Sequence, residues 1–158
     1  MSTITDSTSE TQFARSISEL NEIRSRDPGR IKRLLVGRRK RELLGPDGRL
    51  MIIACDHPAR GALSAAGKAT AMASRTDLLD RLVTALTRPG VDGLLATADI
   101  AEDLLMLGVL EEKLVFASMN RGGLQGAAFE MDDRNTGYDV SGTIEAGFEG
   151  AKMLLRID

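Results

Sequence analysis

The chain has 158 residues, 42% hydrophobic and 28% charged, a globular composition long enough for one domain with a real core. Its net charge of −2 gives no global electrostatic case for nucleic acid or an anionic membrane as partner. No apolar run approaches the roughly 18 residues of a membrane span, and with 3% aromatics and no tryptophan, base-stacking platforms are not expected.

Residues 1–10 are rich in Ser and Thr without an apolar stretch, so they are no secretory signal. Residues 1–12 read as a disordered lead. Ile17, Leu20 and Ile23 predict a short amphipathic helix within 13–26, broken by Asp27-Pro28-Gly29. A second helix is expected to follow, with Asp27 as N-cap and Pro28 at its first position, running to about Leu44. It is markedly basic, with Arg30, Lys32, Arg33, Arg38, Arg39, Lys40 and Arg41. Such charge is either a solvated face, with Ile31, Leu34 and Leu35 packed inward, or a phosphate or nucleic-acid patch. No recognition motif accompanies it, which favours the solvated face. Gly45-Pro46-Asp47-Gly48 is a turn separating this helical extension, residues 1–45, from the main domain, residues 46–158.

The continuous apolar run over 50–55 reads as a strand buried on both faces, and it stops at Asp56-His57-Pro58. Cys55, the one cysteine, cannot form an internal disulfide, which fits a reducing cytoplasm. After a small-residue loop over 64–74, Leu78, Leu79, Leu82, Val83 and Leu86 predict a helix over 75–88, with Ser74 and Asp77 as its start signal. A strand over 91–97 follows, then a helix capped by Asp99 and ending near Gly108, then a strand over 113–118. Residues 119–138 form a long Gly-rich connection of the kind that carries function. A helix over 140–148 and a strand over 151–157 complete the series.

Strand alternating with helix is the signature of βαβ units and a parallel sheet. A complete eight-unit barrel takes about 250 residues, so the expectation is an α/β fold of parallel βα units forming the amino-terminal half of a (β/α)8 TIM barrel. On the fourth strand, alternation puts Lys152, Leu154, Arg156 and Asp158 on one face and Met153, Leu155 and Ile157 on the other. The apolar set belongs against helices, so the charged set points into the lumen. Charge there is costly unless paired or used.

Asp56, at the first strand's carboxyl end, would face Lys152 across that lumen. A carboxylate there can take a proton or bind a hydroxyl, and the ammonium can hold an oxyanion. His57, the only histidine, could shuttle a proton, ligate a metal or bond backbone in the turn. No helical or Cys-x-x-Cys ligand spacing supports a metal.

Ala54-Cys55-Asp56-His57-Pro58-Ala59-Arg60-Gly61-Ala62-Leu63 resembles the first-strand motif of class I aldolases of the tagatose-bisphosphate type. It also resembles the Asp-His-Gly of archaeal-type fructose-bisphosphate aldolases, in the broad superfamily of deoxyribose-phosphate aldolase. Thr136-Gly137-Tyr138-Asp139 and Glu149-Gly150-Ala151-Lys152-Met153-Leu154-Leu155 are similar to further segments of those enzymes. The resemblance covers residues 50–158. Pro58-Ala59 is an insertion relative to the first motif.

The resemblance implies a metal-free, cofactor-free lyase that reversibly cleaves a carbon–carbon bond in a sugar or sugar phosphate through a lysine Schiff base. It makes Asp56 and Lys152 catalytic, beside a Schiff-base lysine expected on a sixth strand beyond residue 158. His57, Arg60, Ser118, Asn120, Arg156 and Asp158 are candidate substrate-binding residues, Ser118 and Asn120 by position only. The chain alone is expected to be inactive. The alternative is a non-catalytic half-barrel module that associates with itself or with a complementary carboxyl-terminal half.

Overall fold

A computed structural model of the chain describes residues 13–120 and 135–155. The expected lead over 1–12, most of the long connection, and Arg156 and Asp158 lie outside the described residues. Four strands, β1 (Ile52–Cys55), β2 (Gly93–Ala96), β3 (Leu114–Ser118) and β4 (Gly150–Lys152), form one sheet in the order β1-β2-β3-β4. Every pairing is parallel. The fold is mixed α/β, with α1 (Glu19–Arg26) and α2 (Gly29–Gly37) before β1, and α3 (Arg75–Leu86), α4 (Ala98–Met106) and α5 (Val140–Glu145) between the strands. Among the described residues no helix is long and apolar enough to cross a membrane.

The sheet's two faces follow from strand alternation. Ile53, Cys55, Leu94, Ala96 and Val115 join the core with Leu79, Leu82 and Leu86 of α3 and Ile100, Ala101, Leu104 and Leu105 of α4. The opposite row, Ala54, Leu95, Phe116 and Gly150, is fixed by register, because parallel partners point the same way. Ala54 in that row is exposed. Gly93 permits the tight β2–β3 approach: a Cβ there would lie 2.3 Å from the Leu114 carbonyl oxygen.

Helix α4 is covered from outside by the amino-terminal extension. Leu20, Ile23 and Leu34 are buried in the same core, and the Ala14 N–H donates to the Met106 carbonyl at 2.7 Å. Ionic contacts fasten this layer. Arg24 pairs with Glu102 at 2.9 Å and Asp103 at 2.8 Å, and Arg75 pairs with Asp103 and Asp99, both at 2.6 Å.

Three sequence expectations shift here. The second helix ends at Gly37 rather than near Leu44. Arg38 turns extended (ψ 126°) and its buried side chain donates to the carbonyls of Lys113 and Gly147 and pairs with Glu149 at 2.7 Å. Arg39 and Arg41 pair with Glu111 at 3.1 Å and Asp92 at 2.5 Å. Arg38 is therefore an internal strap at the strands' amino-terminal ends, while Lys32, Arg33, Arg39 and Lys40 stay exposed, as a solvated face requires. Asp27 does not cap α2: its carboxylate pairs with Arg33, and its N–H closes α1 on Ile23. Helix α4 starts at Ala98 with Thr97 in the cap position, and the Asp99 carboxylate accepts from the Thr97 hydroxyl at 2.5 Å. By contrast, Ser74 Oγ does accept from the Asp77 N–H at the start of α3.

Candidate active site at the carboxyl ends of the strands

Asp56 follows the last residue of β1. It lies two residues beyond Ala54, on the face away from α3 and α4. Register carries the same row across the sheet: one step past the Cys55–Ala96–Ala117–Ala151 level stand Asp56, Thr97, Ser118 and Lys152. Parallel strands thus bring residues far apart in sequence to one end and one face.

Within this row Asp56 Oδ2 is the hub. It accepts from Lys152 Nζ at 2.6 Å and from Ser118 Oγ at 3.1 Å. Its side chain is 7% exposed and that of Lys152 is 32% exposed, so the pair lies at the boundary between core and solvent. Burial alone would push the Asp56 carboxyl up. The hydrogen bond and charge of Lys152 outweigh it, helped by Ser118, and hold the carboxyl below its ordinary range. Thr97, between Asp56 and Ser118 in the row, turns its hydroxyl to Asp99 instead.

His57 opens a 3-10 turn, His57–Arg60, directly after Asp56. Its Nδ1 lies 3.7 Å from Asp56 Oδ1, an electrostatic distance rather than a hydrogen bond. Pro58 sits in the first turn, and Gly61 closes it with φ +74°, a value that favours glycine. Arg60 ends the turn half-buried. Its Nε is buried and has no hydrogen-bond partner among the described residues.

Asn120 serves the backbone. Its amide donates to the Leu154 carbonyl at 2.9 Å and accepts from the Leu154 N–H at 2.8 Å. With the Met119 N–H donating to the Lys152 carbonyl, it carries the β3–β4 junction past the sheet ladder. Asn120 thereby supports the strand that bears Lys152, and its amide is already engaged on both sides. Among the described residues no cluster of three or more His, Cys, Asp or Glu is placed to hold a metal ion.

The structure therefore brings Asp56, Ser118 and Lys152 into direct contact, sets His57 beside them, and places Arg60 on the adjoining turn. Sequence reading offered Ser118 by position alone. Its contact with Asp56 spans 62 residues and has no local signal. Also unforeseen was the work of residues 136–139. The Thr136 N–H donates to the Met119 carbonyl at 2.9 Å. Gly137 packs beside Ala98 and the Ser118 carbonyl. The Tyr138 hydroxyl donates to Glu102 at 2.9 Å, and Asp139 caps α5 through the Gly142 N–H at 2.7 Å. This segment fastens α5 and the end of β3 to α4. The Asp139 cap is a local signal, but the partners of Thr136, Gly137 and Tyr138 are distant in sequence, so composition could not reveal them.

A family model described as Cgl0159-like matches residues 48–158. The crystal structure of Cgl0159 from Corynebacterium glutamicum is similar, with a TM-score of 0.82 and 53% sequence identity. The match covers 88% of this chain and 48% of that one, so this chain spans about half the length of that protein. No curated protein matches.

Proposed function

The chain belongs to the Cgl0159-like family, and we propose that it supplies the first half of the active site of an aldolase-like lyase. The reaction is reversible carbon–carbon cleavage of a sugar or sugar phosphate through a lysine Schiff base, in a cytoplasmic setting. The fold proposed with it is half of a (β/α)8 barrel.

One observation carries the reading: Lys152 Nζ meets Asp56 Oδ2 at 2.6 Å, at the carboxyl ends of the fourth and first strands. Side chains stand roughly perpendicular to a sheet, and residues three strands apart on a flat sheet are roughly 14 Å apart. Their contact is the behaviour of a sheet that curls toward this face, as a barrel wall does. The sequential order β1-β2-β3-β4 also suits a barrel, since right-handed crossovers in one direction put every helix on one side.

In this role Asp56 and Lys152 move protons beside a carbonyl held by a separate lysine. Lys152 donates to a developing alkoxide, and the Asp56 carboxylate holds the ammonium in place or receives a hydroxyl proton. Ser118 fixes the carboxylate's orientation. The Schiff-base lysine is expected on a sixth strand, so no residue of these four strands is assigned to it.

The direct test joins this chain to a carboxyl-terminal half of the family and offers ketose and aldose phosphates with borohydride. The reading requires a stable adduct on a lysine of the second half, and its loss or slowing in Asp56→Asn. An adduct on Lys152 would reassign that residue as nucleophile. Absence of any adduct or cleavage product would remove the lyase reading.

A second reading, a non-catalytic half-barrel that associates with itself or a complementary half, draws on a specific surface. Val140 and Ile144, one turn apart on α5, are 63% and 71% exposed, and Met153 and Leu155, just past strand β4, are 58% and 77% exposed. Exposed apolar groups beside an open strand edge favour association. Sedimentation distinguishes the cases: a monomer at high concentration argues against self-association.

A further inference from the structure

We propose that Arg60 is an oxyanion receptor, holding a phosphomonoester or carboxylate group of the small molecule bound beside Asp56 and Lys152. This rests on reading the carboxyl end of the sheet as a small-molecule site, but not on aldol chemistry.

Four other sheltered arginines each face a carboxylate. Arg24 faces Glu102 and Asp103, Arg38 faces Glu149, Arg41 faces Asp92, and Arg75 faces Asp99 and Asp103. Arg60 is half-buried as well, yet among the described residues it has neither a carboxylate nor a hydrogen-bond acceptor. Arg38 also has a buried, unbonded Nε, but its other two nitrogens are bonded. A guanidinium partly withdrawn from water at its Nε, with no counter-charge beside it, carries a desolvation cost that an anionic ligand would offset. Its planar fork fits a carboxylate or phosphate with two parallel hydrogen bonds.

Local charge points the same way. The single charge of Asp56 is matched by Lys152 at 2.6 Å, so Arg60 leaves one positive charge in excess on the adjoining turn. The turn is preset: Pro58 limits φ, and the Gly61 N–H closes on the carbonyls of His57 and Pro58. The guanidinium is therefore carried on ordered backbone close to the tip of β1, where an anionic substituent of a ligand would be gripped while Asp56 and Lys152 address its reactive end.

The test measures binding of inorganic phosphate and of acetate by titration calorimetry to the chain and to Arg60→Gln, Arg60→Lys and the control Arg88→Gln. Phosphate or acetate should bind the parent chain and bind Arg60→Gln about tenfold or more weakly. Arg60→Lys should fall between them, because a point charge replaces the fork. Arg88→Gln should match the parent. Preference for phosphate identifies a phosphomonoester, and preference for acetate identifies a carboxylate. The proposal is overturned if neither probe binds, if Arg60→Gln binds as the parent does, or if Arg88→Gln weakens binding equally. Circular dichroism checks that Arg60→Gln is folded, and if it is not, parent-like affinity in Arg60→Lys overturns the fork. Arg60-dependent binding in a protein that yields no borohydride adduct keeps the anion site and removes the lyase. An adduct with no Arg60-dependent binding does the reverse.

Discussion

Replacing Lys152 with Met tests the central contact without changing the strand's apolar volume much. The substitution removes the ammonium at 2.6 Å and leaves Asp56, 7% exposed, with Ser118 as its one side-chain hydrogen-bond donor among the described residues. Breaking a fully buried pair costs about 3–5 kcal/mol, and an exposed pair is worth about 0.5 kcal/mol. Lys152 is 32% exposed, so the expected loss is intermediate, about 2 kcal/mol at neutral pH. With a urea slope of about 2 kcal/mol per molar, the midpoint should fall by about 1 M. The double variant Asp56→Asn/Lys152→Met should recover more than half of that loss, because no charge is stranded.

The pH dependence gives the sharper reading. In the parent chain the depressed Asp56 carboxyl contributes stability in full above its ordinary value of 3.8, and loses it as pH falls through the lower folded value. Without Lys152, burial becomes the dominant influence and raises the carboxyl above that value. The contribution then reverses sign: the variant should lose stability as pH rises from about 4. Urea midpoints measured from pH 3 upward would report both curves. Parallel profiles for parent and variant, or an unchanged midpoint at neutral pH, would refute the buried ion pair.

Arg38→Met should destabilise the chain by about 3 kcal/mol in urea unfolding, since it strands Glu149 and two carbonyls. Arg38→Lys should recover little, because one ammonium cannot span three acceptors. Gly93→Ala puts a methyl 2.3 Å from the Leu114 carbonyl oxygen and should cost about 2–4 kcal/mol, seen as a lowered thermal midpoint. Tyr138 is the only tyrosine and tryptophan is absent, so ultraviolet titration reads it alone. Burial and the neighbouring Glu102 raise its phenol, so ionisation should begin only well above the usual range and return toward it in urea. Tyr138→Phe should cost about 1 kcal/mol through loss of the Glu102 hydrogen bond.

Sequence by itself determined the succession of strands and helices, because each depends on neighbours within a few residues. The apolar run 50–55 contains β1, the leucine spacing 78–86 marks α3, and the Ser74–Asp77 signal starts it. It also nominated Asp56 and Lys152, through a strand ending in an acid and an alternation that put an amine on the inward face.

Only the tertiary structure decided what spans the chain. Helix α2 stops at Gly37, and Arg38 just beyond it finds acceptors 75 and 109 residues away, which no local propensity encodes. Asn120 was a candidate for substrate and proved engaged with Leu154, while Ser118 gained its role from a carboxylate 62 residues earlier. The reason is physical. A parallel sheet aligns strand ends by backbone register, so which side chains meet at its mouth is set by pairing across strands rather than by order along them.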